Sequence, residues 1–168
     1  MARNPSRISP HAIRPIIEFY PLTRTATSQG VKWHILDQKS PRMKLVRDEL
    51  KAAHGIYVFY NSQCRAIYVG KANSLSLWGE LKNAFNRKRE AQIVWKVKHP
   101  LTGKSFNPAY KKKRRIKKRQ VYLHEIASFL SVYEVGDRLI SNLEALLLRT
   151  FPNELSNAKM ESISYDKT

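Results

Sequence analysis

GIYVFYNSQCRAIYVG, residues 55–70, is the segment on which the predicted fold depends. Two runs rich in β-branched and aromatic residues flank a polar stretch, which is typical of a β-hairpin. With a loop over residues 61–64, Tyr60 pairs with Arg65, and Tyr57 lies directly opposite Tyr68, about 5 Å away on the same face. Such a pair is either an aromatic contact in the core or two phenols that converge on one site.

Two helices are predicted on either side of this hairpin. Residues 41–53 predict a short helix with apolar positions on one side, namely Leu45, Leu50 and Ala53. Residues 74–90 predict a second helix, in which apolar residues recur one turn apart at Leu77, Leu81 and Phe85. Residues 92–98 fit either a further strand or the end of that second helix.

The C-terminal part predicts a strand over residues 128–135 and then a strongly apolar helix over 138–151, with Asp137 as its N-cap. Glu144 lies inside that helix, and Ile140 and Leu148 lie four residues to either side of it. A carboxylate in such surroundings is partly buried, so it must be paired, protonated or metal-bound. A salt bridge to a lysine or arginine is one interpretation, and metal binding or catalysis is the other.

The charge of the chain points to a polyanionic partner. The net charge is +18, and residues 71–120 contain 16 basic and 2 acidic side chains. Nucleic acid is the simplest partner, whereas a membrane surface is less suitable because the basic segment has no apolar face. Like charges repel in the densest run, which predicts a mobile, solvated arm or an exposed helix start. This run is a plain surface loop, a phosphate clamp or, in a eukaryote, a nuclear-import signal, and its basic residues are Lys111, Lys112, Lys113, Arg114, Arg115, Lys117, Lys118 and Arg119.

Length and composition suggest one domain with an extra arm. The chain has 168 residues, no apolar stretch near the roughly 20 that a membrane span requires, and a single cysteine, Cys64. Five of the eight prolines fall in residues 1–41, which predicts an irregular N-terminal arm with one possible strand at 31–36. We therefore expect an intracellular protein with a domain over residues 42–168 and a basic insertion at 99–120.

The hairpin and the apolar helix together resemble a known family. Gly55-Ile56-Tyr57, ten intervening residues and Tyr68-Val69-Gly70 resemble the signature of the GIY-YIG nucleases. Glu144, within NLEALLLRTFPNELSN, and Asn157 at the end of that stretch match the family's glutamate and asparagine in order and position. The resemblance covers about residues 50–160. It implies a small α/β domain, in which helices flank a central three-stranded, mainly antiparallel sheet.

The resemblance also implies a chemistry, the metal-dependent hydrolysis of DNA phosphodiester bonds. Glu144 would hold one Mg²⁺ or Mn²⁺ ion, and Tyr57 would be the general base that activates water. A phenol is a poor base at neutral pH, so a cation must lower its pKa, and Lys71 is the candidate. Tyr68 would hydrogen-bond near the phosphate or the water, and Asn157 would support the site.

One position departs from the family pattern. The family has an arginine on the following helix, about eight residues after the second glycine, where this chain has Trp78, or Glu80 if two residues are inserted. Arg87 lies two turns beyond Glu80 on the predicted helix, about 10 Å along it, and is the first substitute. Lys82 is the second substitute, and both are expected to contact nucleic acid together with Arg89.

Three functions follow from these observations. The first is a GIY-YIG-type DNA endonuclease that is cytoplasmic, nucleoid-associated in a bacterium or nuclear in a eukaryote. The second is a catalytically inactive member that binds DNA or RNA, and the third is a basic RNA-associated structural protein. Only the first requires both Glu144 and a divalent metal, whereas binding in all three weakens steeply with salt.

Overall fold

The computed structural model describes residues 8–27, 30–37, 39–94 and 116–151. The strands in these ranges are β1 (Ile13–Pro21), β2 (Thr23–Thr27), β3 (Gly30–His34), β4 (Gly55–Tyr60), β5 (Ala66–Ala72), β6 (Lys88–Val94), β7 (Ile116–Tyr122) and β8 (Phe129–Val135). The helices are α1 (Pro41–Ala52), α2 (Leu77–Asn86), α3 (Leu123–Ile126) and α4 (Ile140–Thr150).

A four-stranded antiparallel sheet with the order β1-β8-β4-β5 forms the centre of the fold, and helices flank it. The α/β class is confirmed, but the predicted number of three strands is wrong because β1 adds a fourth along β8. This strand falls in the predicted irregular arm. Its register shifts between Pro15 and Ile17 and again before Tyr20, and Phe19 has a φ of 45°. Prolines and bulges are tolerated on an edge strand. They interrupt the alternation of side chains with a period of two by which a strand is recognised in a sequence.

The hairpin of β4 and β5 forms as predicted, but its register differs. The loop spans 61–65, because Asn61 N–H donates to Arg65 O and the Asn61 Oδ1 accepts from Arg65 N–H. A bulge follows Phe59, so Phe59 pairs with Tyr68 and Tyr57 pairs with Gly70. The predicted direct pairing of the two tyrosines is therefore wrong. They are diagonal neighbours, with ring centroids 6.0 Å apart.

The two faces of the sheet pack against different helices. On the first face, Tyr57, Phe59 and Tyr68 share a core with α1 and α2. On the second face, Ile56 and Val69 share a core with α4. Because side chains alternate along a strand, consecutive residues of β4 and β5 serve opposite cores. We call these the α1/α2 face and the α4 face.

Three helix predictions need correction. Helix α2 begins at its Ser76 cap and ends at Asn86, so it is shorter than predicted at both ends. Leu45, expected on the apolar side of α1, is 72% exposed. Helix α4 begins after Leu139, which has helical dihedral angles and no side-chain cap bond, so Asp137 is not its N-cap. Instead, Leu139 N–H donates to Gly136 O in a turn that precedes the helix.

A separate two-stranded antiparallel ribbon is formed by β6 and β7. Strand β6 decides the ambiguity over residues 92–98 in favour of a strand as far as Val94. Strand β7 starts at Ile116, inside the run predicted to be a solvated arm or a helix start. We call this pair of strands the basic ribbon.

Candidate active site

The two glycines of the hairpin are required by close packing. A Cβ at Gly70 would lie 2.7 Å from Tyr57 Cε2 and closer still to the phenol Cζ and hydroxyl. The Tyr57 ring therefore crosses strand β5 directly over Gly70, where only a glycine leaves room for it. Gly55 has a φ of 151°, and a Cβ there would overlap the Tyr133 carbonyl of β8. Both positions thus have a structural reason to lack a side chain.

Tyr57 and Tyr68 belong to a buried aromatic cluster. Tyr57 is 2% exposed and Tyr68 is 9% exposed. The Tyr57 ring meets Phe59 edge-on at 6.0 Å, and Phe59 lies 6.3 Å from Phe85 of α2. The interpretation of these tyrosines as core aromatics is therefore confirmed. The hydroxyl of Tyr57 lies at Gly70 of the edge strand β5, and its catalytic role stays a prediction.

Glu144 lies on α4 as predicted, between the buried side chains of Ile140 and Leu148, and is 7% exposed. Its Oε2 lies 3.1 Å from Lys71 Nζ, so the predicted salt bridge exists and its partner is Lys71. The ammonium balances the charge of the buried carboxylate. The suggestion that Lys71 lowers the pKa of Tyr57 stays a prediction.

These groups meet the same edge strand of the sheet. Gly70 and Lys71 are consecutive residues of β5, which is an edge strand of the four-stranded sheet. The Tyr57 phenol lies over Gly70 on the α1/α2 face, and Glu144 pairs with Lys71 from the α4 side. Tyr57 and Glu144 thus approach the same edge strand from opposite faces of the sheet.

The predicted arginine substitute does not lie on a helix face. Arg87 is the C-cap of α2, with an extended backbone (φ −83°, ψ 131°), and its side chain is exposed. Arg87 therefore does not lie on one helix with Glu80, two turns beyond it, and that prediction is wrong. Lys82 is exposed on α2, and Lys82, Asn83, Asn86 and Arg87 line a shallow depression.

The remaining predicted contact residues lie on the basic ribbon or beyond the described ranges. In the ribbon, Arg89 pairs with Val121. Lys117, Lys118 and Arg119 occupy β7 positions opposite Ile93, Gln92 and Ala91. Lys111, Lys112, Lys113, Arg114, Arg115 and Asn157 lie outside the described residues.

Glu144 is the carboxylate proposed for the metal that the family resemblance implies. Among the described residues, no group of three or more His, Cys, Asp or Glu side chains could hold an ion. Mg²⁺, however, is usually bound by one or two carboxylates, with waters and substrate phosphates as its other ligands. Glu144 fits that pattern, with substrate present, and it does not fit a metal site built from protein ligands alone.

Sequence reasoning missed a second buried carboxylate. Glu134 of β8 is fully buried, and its Oε2 accepts from Arg14 Nε at 3.1 Å, while Arg14 Nη2 lies 2.6 Å from Glu49 Oε1 of α1. The hydrogen bonds to Glu134 and Glu49 raise the pKa of Arg14. The sequence did contain a signal for this burial, because Glu134 alternates along β8 in step with the buried Leu130 and Val132. The three charges join β1, β8 and α1.

Comparisons with known proteins do not extend this description. Scans against protein-family models and curated proteins, and a search of solved structures, found no match. Within the described ranges, no helix combines the length and the apolar character that crossing a bilayer demands. The resemblance to the GIY-YIG nucleases therefore stays a prediction from the sequence.

Proposed function

We propose that the chain is a GIY-YIG-type endonuclease that hydrolyses DNA phosphodiester bonds with the help of one divalent metal ion. One observation supports this proposal most directly: Tyr57 and Glu144 meet consecutive residues of the edge strand β5, Gly70 and Lys71. A core aromatic and a structural salt bridge have no reason to coincide at Gly70, the last residue of the family signature, and at Lys71, which follows it. The net charge of +18 suits a nucleic-acid substrate.

The chemistry assigns a role to each side chain. Water attacks phosphorus and gives up a proton, and the bond to the leaving oxygen breaks, that oxygen taking a proton from solvent water. Tyr57, as its phenolate, is the group proposed to accept the proton of the attacking water. Glu144 would hold the Mg²⁺ or Mn²⁺ ion, which supplies Lewis-acid stabilisation of charge on the phosphate. Lys71 balances the Glu144 charge whenever no cation is bound.

The other predicted site residues support the substrate. Tyr68 packs beside Tyr57 and holds its ring in place, with 6.0 Å between the ring centroids. Arg87 and Lys82 line an open, basic depression, which suits contacts with the phosphate backbone. Asn157 is carried over from the family resemblance as a supporting hydrogen-bonding residue.

A second candidate is an inactive nucleic-acid-binding protein of the same fold. The 3.1 Å Lys71–Glu144 ion pair favours it, because a lysine already satisfies the carboxylate that the metal would need. The sequence of α2, LWGELKNAFN, also lacks the arginine expected from the family. This protein would keep its affinity for nucleic acid and cleave nothing.

Nicking of supercoiled plasmid separates the two candidates. Wild type is compared in Mg²⁺, in Mn²⁺ and in EDTA with Glu144→Gln and Tyr57→Phe, which remove a charge and a hydroxyl while keeping the shape of each side chain. Glu49→Gln is the matched control, because it makes the same chemical change in another ion-paired carboxylate. We expect wild type and Glu49→Gln to nick in metal only, and the two site variants to lose roughly 100-fold or more of the rate.

Two results would contradict the endonuclease. Nicking that survives Glu144→Gln unchanged would show that this carboxylate is not used. Plasmid that stays supercoiled with wild type in both metals, while a gel shift shows that it is bound, would support the inactive binding protein. Melting curves of all four proteins establish that the variants are folded.

A further inference from the structure

A cleft of about 250 Å³ lies between the 34–37 segment after β3, helix α1 and helix α2. Tyr57, Tyr68, Lys71 and Glu144 do not line it, so the cleft is separate from the residues proposed to carry out the cleavage. Its lining combines cationic and aromatic side chains, of which Lys82 alone also lines the depression around Arg87.

The cationic side of the cleft is suited to a phosphate. Lys44 and Arg47 of α1 and Lys82 of α2 line it, and Asp37 is the single acidic residue among the lining residues. The Arg47 Nε is buried and makes no hydrogen bond to the residues that the structure describes. A buried N–H without a partner costs about 1–3 kcal/mol. A phosphate oxygen would provide that partner and would be favoured by the two lysines.

The aromatic side of the cleft is suited to a base. Trp78 of α2 lines it and is partly buried against the core, and Phe85 lies about two turns further along the same helix. Stacking of a nucleobase on an aromatic side chain contributes about 1–3 kcal/mol per base and requires no particular sequence. Cations and an indole in one cleft therefore match a nucleotide whose base is accessible.

The size and surroundings of the cleft indicate which kind of nucleic acid enters. Pockets for drug-sized ligands begin at about 300 Å³, so about 250 Å³ accommodates one nucleotide and not a duplex. Bases in a duplex are stacked and paired, and they reach a cleft only when unpaired or flipped out. Lys82 and Asn86 also line the depression around Arg87, so a strand could continue from the cleft along α2.

We propose that this cleft binds one unpaired nucleotide of a single-stranded nucleic acid, with its phosphate at Lys44, Arg47 and Lys82 and its base against Trp78. The site goes beyond the proposed cleavage reaction, since it requires neither Glu144 nor a metal. For an endonuclease, it would direct the chain to DNA with an unpaired segment.

The test is fluorescence anisotropy with labelled single-stranded DNA, single-stranded RNA and duplex DNA in separate arms. All measurements contain EDTA, so the outcome is independent of cleavage. Lys44→Glu is the main variant, because Lys44 is exposed, lines the cleft and has no part in the proposed cleavage site, so its result is also independent of the proposed function. Arg149→Glu on α4 is the matched control, since it makes the same charge change at an exposed helix position on the other side of the sheet.

We expect Lys44→Glu to weaken single-strand binding about tenfold more than Arg149→Glu does, in the DNA arm, the RNA arm or both. For duplex DNA the two variants should weaken binding equally. Trp78→Phe, which keeps an aromatic ring, should lose less single-strand affinity than Trp78→Leu. Equal losses for Lys44→Glu and Arg149→Glu in both single-strand arms would overturn the proposal, because the lost affinity would then reflect net charge and not a contact in the cleft.

Discussion

Gly70 connects the sequence signature to the geometry of the site. Its missing side chain allows the Tyr57 phenol to cross the edge strand β5, and the next residue, Lys71, binds Glu144. The glycine therefore does more than permit a strand or a turn. It determines where the Tyr57 hydroxyl lies, because any Cβ at this position would displace the ring.

We expect Gly70→Ala to displace Tyr57 and to destabilise the fold by about 1–3 kcal/mol, the usual cost of overpacking a core. Nicking activity should fall with it, because the Tyr57 hydroxyl no longer occupies its place. Urea unfolding and plasmid nicking measure the two effects.

Gly79→Ala is the matched control for this prediction. A Cβ at Gly79, in the first turn of α2, meets nothing closer than 3.5 Å. Alanine is the better helix former, so the free energy of unfolding of the variant should equal that of wild type or exceed it by up to about 0.5 kcal/mol. If Gly70→Ala proved as stable and active as Gly79→Ala, Gly70 would not be needed to make room for the Tyr57 ring.

Because burial affects the pKa of Tyr133, the burial of this side chain can be tested by varying the pH. Burial, followed by the hydrogen bond that its hydroxyl donates to Glu18, raises the pKa of Tyr133 from 10.0 to about 12. Because the folded state holds this proton more tightly, the stabilisation is complete below pH 10.0 and is lost as pH rises from 10.0 towards about 12.

The measurement is the urea midpoint of wild type and Tyr133→Phe across that range. Both proteins lose stability at high pH as other tyrosines and lysines titrate. We expect the wild type to lose more, so that the difference between the two midpoints changes in this window. Parallel curves for the two proteins would show that Tyr133 ionises with equal ease in both states.

At the level of helices and strands, local pattern predicted the parts that pack regularly. The hairpin, β8, α1 and α4 were predicted correctly because the apolar residues of each recur regularly within one continuous segment of the chain. Glu144 was placed correctly for the same reason, since Ile140 and Leu148 determine its face.

The sequence failed where long-range pairing decides the structure. Strand β1 contains two prolines and two register shifts, and only its pairing with β8 makes it a strand. The loop 61–65, which is one residue longer than predicted, and the bulge after Phe59 each shifted the register by one residue, so that Tyr57 pairs with Gly70 and not with Tyr68. No local signal specifies a bulge. Helix α2 ended early because Arg87 adopts an extended conformation and β6 begins directly after it.

The basic ribbon leads to a prediction about salt. Lys117, Lys118 and Arg119 lie on β7, and a two-stranded ribbon fits the DNA major groove. Replacing all three by glutamine should flatten the slope of log affinity against log salt by about 0.9 for each phosphate that the ribbon no longer neutralises. Duplex binding titrated at several salt concentrations measures this slope.

A control with three other charges makes this prediction specific. Arg65, Arg138 and Arg149 are exposed and lie outside the ribbon. Their triple replacement by glutamine changes the net charge equally and should leave the slope close to that of wild type. Equal flattening by both triple variants would mean that the ribbon makes no particular contact.

On the scale of the whole molecule, the N-terminal segment belongs to the central sheet. Strand β1 covers β8, and Arg14 is the partner of the fully buried Glu134. A buried carboxylate that loses its partner costs about 3–5 kcal/mol. This is a large part of the total stability of an ordinary domain, which is about 5–15 kcal/mol.

We therefore expect a chain that starts at residue 42 to lose cooperative unfolding, because β8 becomes an open edge and Glu134 loses Arg14. A chain that starts at Ile8, which keeps β1, should unfold like the full chain by circular dichroism in urea. Glu134→Gln in the shorter chain should recover part of the loss, because it removes the unpaired charge. A shorter chain that unfolds at the wild-type midpoint would show that residues 42–168 fold independently, as the sequence alone suggested.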